Sequence, residues 1–205
     1  MYTPPAFRED DPAVLRAIIG AAGLATPATA EGLVGTPLPL LLEPDEGAQG
    51  VLYGHVARAN PQWTLAPAGE ALAIFPGPDA YVTPAWYAAK RAHGKVVPTW
   101  NYAAVHAYGP VAFFEDEERL RAVVTRLTAL HEAPRAEPWA VSDAPEDFIR
   151  AQLRGIVGVR LPITRIEGKR KLSQNRSAAD RAGVAEGLAA SERPDDRAVA
   201  ALIPR

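Results

Sequence analysis

The sequence contains no cysteine. Disulfides, thiolate metal centres and a cysteine nucleophile are therefore excluded, and a reducing, cytoplasmic setting is the natural expectation. Long apolar runs are also missing. A stretch such as 37–42 is far too short to cross a bilayer, so no membrane association is expected. The opening Met1-Tyr2-Thr3-Pro4-Pro5 lacks the basic leader and apolar core of a secretory signal. Charge of one sign is lacking too: the formal net charge is −2. That argues against a protein held on DNA mainly by bulk charge, because non-specific affinity comes from neutralised phosphates. A local basic patch stays compatible with it.

Several catalytic signatures are absent. No G-x-G-x-x-G supports a dinucleotide site. Gly94-Lys95 and Gly168-Lys169 lack the rest of a phosphate loop. G-x-S-x-G and H-E-x-x-H do not occur, and His131-Glu132 has no second histidine at the required position. His55, His93, His106 and His131 lie far apart with no ligand spacing, so no metal site is expected. His131 suits the C-terminus of a helix, where the dipole favours a cation.

What remains is an ordinary globular chain. It has 205 residues, 48% hydrophobic and 22% charged. Such a chain buries roughly 70% of its unfolded surface and needs no staple. Asp11-Pro12 opens a helix with Val14, Leu15, Ile18, Ile19 and Ala22 on its buried stripe, ended by Gly23. Strands are expected over 24–29, over 33–43 with Pro37 and Pro39 at an edge or bulge, and over 51–58. Asn60-Pro61 opens a short helix. A strand over 71–75 is expected to break at Pro76-Gly77-Pro78. Thr83-Pro84 opens another short helix, and 99–114 reads as one long strand, bent at Gly109-Pro110. Asp116 caps the clearest helix, with Leu120, Val123, Val124, Leu127 and Leu130 inward. Asp143 to Glu146 form a capping-box variant before a helix with Phe148, Ile149 and Leu153 inward. A strand region over 156–172 and a small helix from Ser177 follow. The expected organisation is one domain over 1–190 and a polar tail over 191–205. The fold class is mainly β with peripheral helices, a closed or partly closed antiparallel barrel.

Three segments carry possible chemistry. In the first, Arg58 lies near a strand end, just before the Asn60-Pro61 helix start. A fixed guanidinium beside free backbone N–H groups cradles a monophosphate well, and His55 adds a donor. Equally, Arg58 pairs with a surface carboxylate and Asn60 only caps. In the second, Thr99 and Asn101 share one strand face while Trp100, Tyr102, His106 and Tyr108 share the other. Small polar groups and an aromatic wall suit a flavin ring; the alternative is that the aromatics are core. The third runs from Glu167 to Arg176, with Lys169, Lys171 and Ser173 on one face and Gln174 and Asn175 beyond. It is a solvated basic strand, an anion or cofactor contact reaching toward a subunit boundary, or a nucleic-acid patch without interleaved aromatics.

These stretches resemble the PaiB-like FMN-binding negative transcriptional regulators over nearly the whole chain. The matching residues are Met1-Tyr2 with Phe7 and Asp11-Pro12, Gly54 to Pro61, Gly77 to Tyr81 with Trp86-Tyr87, Lys95 to Tyr102, Glu137-Pro138-Trp139, and Lys171 to Arg176. The resemblance implies a split β-barrel flavoprotein related to pyridoxamine-phosphate-oxidase-like proteins, with FMN at a homodimer interface. It places the stretch from His55 to Asn60 where related barrels hold phosphate, and the strand from Thr99 to Asn101 near the cofactor. His55, Arg58, Asn60, Thr99, Trp100, Asn101, Lys169, Gln174 and Asn175 are the candidate cofactor residues. Arg58→Ala is then expected to weaken FMN binding by about 1.5–3 kcal/mol. The family name implies gene repression, although no helix-turn-helix signature is present to contact DNA. The alternatives are a flavin-dependent oxidoreductase acting on a small substrate, with His55, His106 and Tyr102 as candidate acid–base groups, and an interaction domain with an empty cleft.

Overall fold

The computed structural model describes residues 1–28, 34–65 and 69–204. In chain order, the first half holds β1 (Arg8–Glu9), α1 (Pro12–Ala21), β2 (Thr26–Ala28), β3 (Leu41–Glu43), β4 (Val51–Ala57), β5 (Ala71–Val82) and α2 (Ala88–His93). The second holds β6 (Thr99–Gly109), β7 (Ala112–Phe114), α3 (Glu117–Glu132), α4 (Glu146–Leu153), β8 (Ile156–Pro162), β9 (Arg165–Lys171), α5 (Ala178–Ala189) and α6 (Pro194–Leu202). Antiparallel strands with helices at their margins are the class expected.

The chain forms two compact units, and β5 and β6 pass from one into the other. The first unit comprises Met1–Ile18, Pro76–Val105 and Glu167–Arg205. In it β1 pairs antiparallel with β9, Arg8 opposite Lys169 and Glu9 opposite Gly168. A Cβ on Gly168 would lie 2.2 Å from Leu15 and 2.7 Å from the Glu9 carbonyl, so only glycine lets helix and strand approach this closely. Its core is Val82, Tyr87, Leu172, Val184, Leu188, Val199 and their neighbours.

The second unit comprises Ile19–Phe75 and His106–Ile166. Here β2 pairs with the first half of β5, Thr26 opposite Ile74. A four-stranded antiparallel sheet runs β3-β4-β8-β7. Leu38, Val56, Val111 and Val159 line a small apolar cavity with Gln62 as a polar wall. Leu120, Ile149 and Leu153 from α3 and α4 pack with Phe114. Asp116 caps α3 as expected, its Oδ1 accepting from the Arg119 N–H at 2.8 Å.

Several local expectations are corrected. β5 runs unbroken through Pro76-Gly77-Pro78. Pro76 lies exposed, and Gly77 lets the Ala103 backbone come within 3.1 Å of where a Cβ would be. Beyond Pro37 and Pro39 only Leu41–Glu43 is strand. The expected strand end at Thr29 and strand start at Leu33 lie outside the described residues. The long strand over 99–114 is two, β6 and β7, separated at Pro110 and Val111, where Pro110 has no N–H to pair. Leu130 and Phe148 are 47% and 53% exposed and do not join the core. Asp143 accepts from the Ala140 N–H at 2.8 Å, capping its own short 3₁₀ turn and not α4. The stretch expected as a polar tail forms α6, with Val199 and Ile203 buried one turn apart. Its signal was present: Pro194 at the first helical position and acidic residues in the first turn.

Candidate functional site

In the first unit, strand alternation puts Asn101, Ala103 and Val105 on the buried face of β6 and Trp100 and Tyr102 on the other. The aromatic stripe is not core: Trp100 is 49% exposed. It meets Tyr81 edge-to-face, with centroids 5.9 Å apart, and Tyr81 is itself 45% exposed. Asn101 is completely buried and bonds Ser173, Nδ2 donating to Oγ at 3.0 Å. That bond anchors the turn after β9, where Ser173 takes a left-handed φ of 63°. Such a backbone costs about 1–2 kcal/mol in a non-glycine residue and persists only when its surroundings hold it. Gln174 supplies the rest of the brace, its Oε1 accepting from the Leu172 N–H at 2.7 Å and its Nε2 donating to the Arg170 carbonyl. Gln174 is thus committed to the turn, while Asn175 lies exposed beside it.

The cations of β9 are placed unevenly. Arg170 pairs with Glu9 at 3.2 Å. Lys169 is only 8% exposed, yet its ammonium donates to a neutral group, the Tyr2 carbonyl, at 3.0 Å. The Tyr2 and Tyr102 rings lie 5.8 and 5.2 Å from it. Lys171 donates to Thr99 Oγ1 at 2.6 Å and to the Trp100 carbonyl. Burial first, and then the charges of Lys169 and Arg176, push the Lys171 ammonium below its ordinary pKa. Arg176 lies over the Tyr87 ring at 4.8 Å. Among the described residues, no carboxylate comes within ion-pair distance of Lys169, Lys171 or Arg176.

The second unit holds the other three candidates. Arg58 donates through Nε to the Arg154 carbonyl at 2.7 Å, through Nη2 to the Ile156 carbonyl at 3.3 Å, and through Nη1 to the Glu115 carboxylate. All three guanidinium nitrogens are engaged and the charge is met. Pro61–Thr64 is a four-residue 3₁₀ turn, too short to carry the macrodipole of an α-helix. Asn60 caps it, accepting from the Gln62 N–H at 2.9 Å, and donates to Thr36 at 2.9 Å. His55 faces Gly158 across β4 and β8, and Phe114 pairs with the same glycine from β7. The Phe114 ring occupies the space above Gly158, 2.3 Å from where a Cβ would lie. Among the described residues His55 Nδ1 is buried without a hydrogen-bond partner, and burial holds the imidazole below its ordinary pKa.

The structure therefore gathers Thr99, Trp100, Asn101, Lys169 and Gln174 in one unit, and His55, Arg58 and Asn60 in the other. Lys171, Arg176, Tyr2 and Tyr81 join the first group and were not among the candidates. The alternate spacing of Lys169, Lys171 and Ser173 signals part of this, whereas nothing in the local sequence places Tyr81 against Trp100.

A family model described as "Putative FMN-binding domain" matches residues 1–165. The chain is 39% identical over 172 residues to a protein of Aspergillus fumigatus, covering 68% of this chain and 66% of that one. It is 35% identical over 153 residues to the Bacillus subtilis protease synthase and sporulation protein PAI 2, covering 74% of this chain and 71% of the relative. Among solved structures it is similar to an FAD- and haem-binding protein from Mycobacterium smegmatis, with a TM-score of 0.56 at 15% identity, covering 80% of this chain and 73% of that one. It is also similar to the flavocytochrome Anf3 from Azotobacter vinelandii, with a TM-score of 0.53 at 18% identity, covering 80% and 69%. At such identities the likeness is one of fold, and the fold is the split barrel.

Proposed function

Because this chain belongs to the FMN-binding family whose model spans residues 1–165, we propose that it is a flavin-responsive regulatory protein acting as a homodimer. The observation that carries the flavin reading is the pairing, in one unit, of unmatched cations with an exposed aromatic edge. Lys169 and Lys171 have no carboxylate partner among the described residues, and Trp100 and Tyr81 leave about half their surfaces open. FMN has the complementary parts: a wide aromatic body and a dianionic phosphate. The residues fit the cofactor.

When bound, FMN supplies one- or two-electron redox chemistry. This chain's own groups bind and orient. The Trp100 and Tyr81 rings offer an apolar seat. The Asn101–Ser173 pair, wholly buried, fixes the turn that presents the basic strand. A second copy suits the same unit, since Val97, Trp100 and Tyr81 expose apolar surface there. The regulatory part of the reading is supported by the similarity to the sporulation protein.

An absorbance spectrum after incubation with FMN tests the reading. An oxidised-flavin band retained through gel filtration, with a sedimentation mass of two chains, is the expected result. A colourless protein that takes up no FMN overturns it. Bleaching by NAD(P)H with turnover of a small substrate would make the protein an oxidoreductase instead. A salt-sensitive, sequence-selective DNA shift that changes with flavin would make the regulation direct.

A further inference from the structure

Between Asp79 and Glu115 the sequence contains no acidic residue, and the lysines and arginines there are Lys90, Arg91 and Lys95. All three fall on one excursion. β5 and β6 are neighbours in their sheet, and residues 83–98 join them. Tyr81 and Trp100 meet at the base of this connection, their ring centroids 5.9 Å apart. Its first turn is pegged down, since Tyr87 is wholly buried and Trp86 packs against the same core. From Lys90 onward it stands out: Lys90, Arg91, His93 and Lys95 are all exposed. Among the described residues, none of the three cations comes within ion-pair distance of a carboxylate. Asp180 reaches the excursion from α5, but it is buried, and its Oδ1 accepts from the Ala89 N–H at 2.9 Å. The support is folded. Gly94 ends α2 with a φ of 71°, and His93 Nδ1 accepts from the Lys95 N–H at 3.0 Å.

The dipole of α2 favours cations in its last turn, which accounts for Lys90 and Arg91 but not for Lys95, beyond the helix. Three exposed like charges with no counter-charge attract an anion of several charges. A small anion is held in a concavity, and one exposed cation grips it weakly. A polymer meets all three cations at once and releases counterions as it does so. α2 is six residues, about 9 Å long, which is short for a helix that reads a major groove. A duplex also keeps its bases stacked on one another, whereas Trp100 and Tyr81 are 49% and 45% exposed and offer ring surface to an unpaired base. We propose that the excursion over 83–98 docks single-stranded nucleic acid, Lys90, Arg91 and Lys95 meeting its phosphates and Trp100 stacking a base. This surface does not depend on the flavin reading and shares with it only the exposed rings.

The test is the fluorescence anisotropy of a labelled twelve-residue oligothymidylate titrated with the full chain at several salt concentrations. Binding is expected to weaken with salt, with a log–log slope of roughly −2 for three phosphates on a single strand. K90Q/R91Q/K95Q should bind at least about 10-fold more weakly and lose most of that slope. R135Q/R154Q/R197Q, which removes three exposed cations elsewhere, should bind as the wild type does. W100L should lose about 5- to 100-fold in affinity and keep the slope. Equal melting temperatures of the variants and the wild type show that the fold is intact. Unlabelled single strand should displace the probe far better than a duplex or polyglutamate does. No binding at low salt, equal losses in the two triple variants, or displacement as effective by duplex or by polyglutamate overturns the proposal. Strand binding by a protein that takes up no FMN upholds it and removes only the flavin reading.

Discussion

At the scale of single residues, burial decides what His55 contributes. Its Nδ1 has no hydrogen-bond partner among the described residues, and desolvation holds its pKa below the ordinary 6.5. The unfolded chain therefore binds the imidazole proton more readily than the folded one. The proton-linked cost of His55 is absent well above pH 6.5, and stability drains away as pH falls through that value toward the depressed folded pKa. We expect urea unfolding to show a loss between pH 7.5 and about 5 that is shallower in His55→Phe. An unchanged slope would mean that the ring is solvated. The same reasoning ranks the two arginines: Arg58 is tied to Glu115, whereas Arg176 lies over the Tyr87 ring with no carboxylate within ion-pair distance among the described residues.

At the scale of elements, α5 shows how small residues position a large one. A Cβ on Gly187 would lie 2.3 Å from the Trp86 ring, and one on Gly183 would lie 2.2 Å from the Trp86 carbonyl oxygen. Helix propensity alone would favour alanine at both positions by about 1 kcal/mol. Overpacking costs about 1–3 kcal/mol and reverses the sign. Gly187→Ala and Gly183→Ala are therefore expected to destabilise. Trimming Trp86 to Leu should relieve Gly187→Ala, whose obstacle is the ring, and leave Gly183→Ala unrelieved, whose obstacle is backbone. Denaturant midpoints of the three single and two double variants measure this. The helix that follows makes a comparable case. Deleting 191–205 uncovers Val184 and Leu188, both wholly buried, so the shortened chain should melt well below the full one. A frayed tail would give equal melting temperatures.

At the scale of the whole molecule, the prediction concerns coupling between flavin and assembly. If the exposed Trp100, Tyr81 and Val97 face a second copy, then Val97→Asp should shift the sedimentation mass toward one chain. FMN added to the wild type should favour two chains, because a ligand that prefers the paired state shifts the equilibrium by its differential affinity. Equal FMN affinity for one chain and two would break that link. Among the described residues no helix is long and apolar enough to cross a membrane.

Much of the architecture was legible in the sequence because its signals are local. Asp116 and Asn60 cap the turns that follow them, Thr83 does the same before Pro84–Trp86, and period-two alternation sets the two faces of β6. The family resemblance is carried by contiguous motifs and was legible for the same reason. Interactions between distant segments decided the rest. Pairing carried β5 through two prolines that read as a break, and packing against Leu188 made a helix of a stretch that read as a tail. Arg58 and Lys171 look alike as cations near strand ends. Only the fold sets Glu115 against one and leaves the other among carbonyls and rings, because a side chain's net charge environment is summed over neighbours far away in the chain.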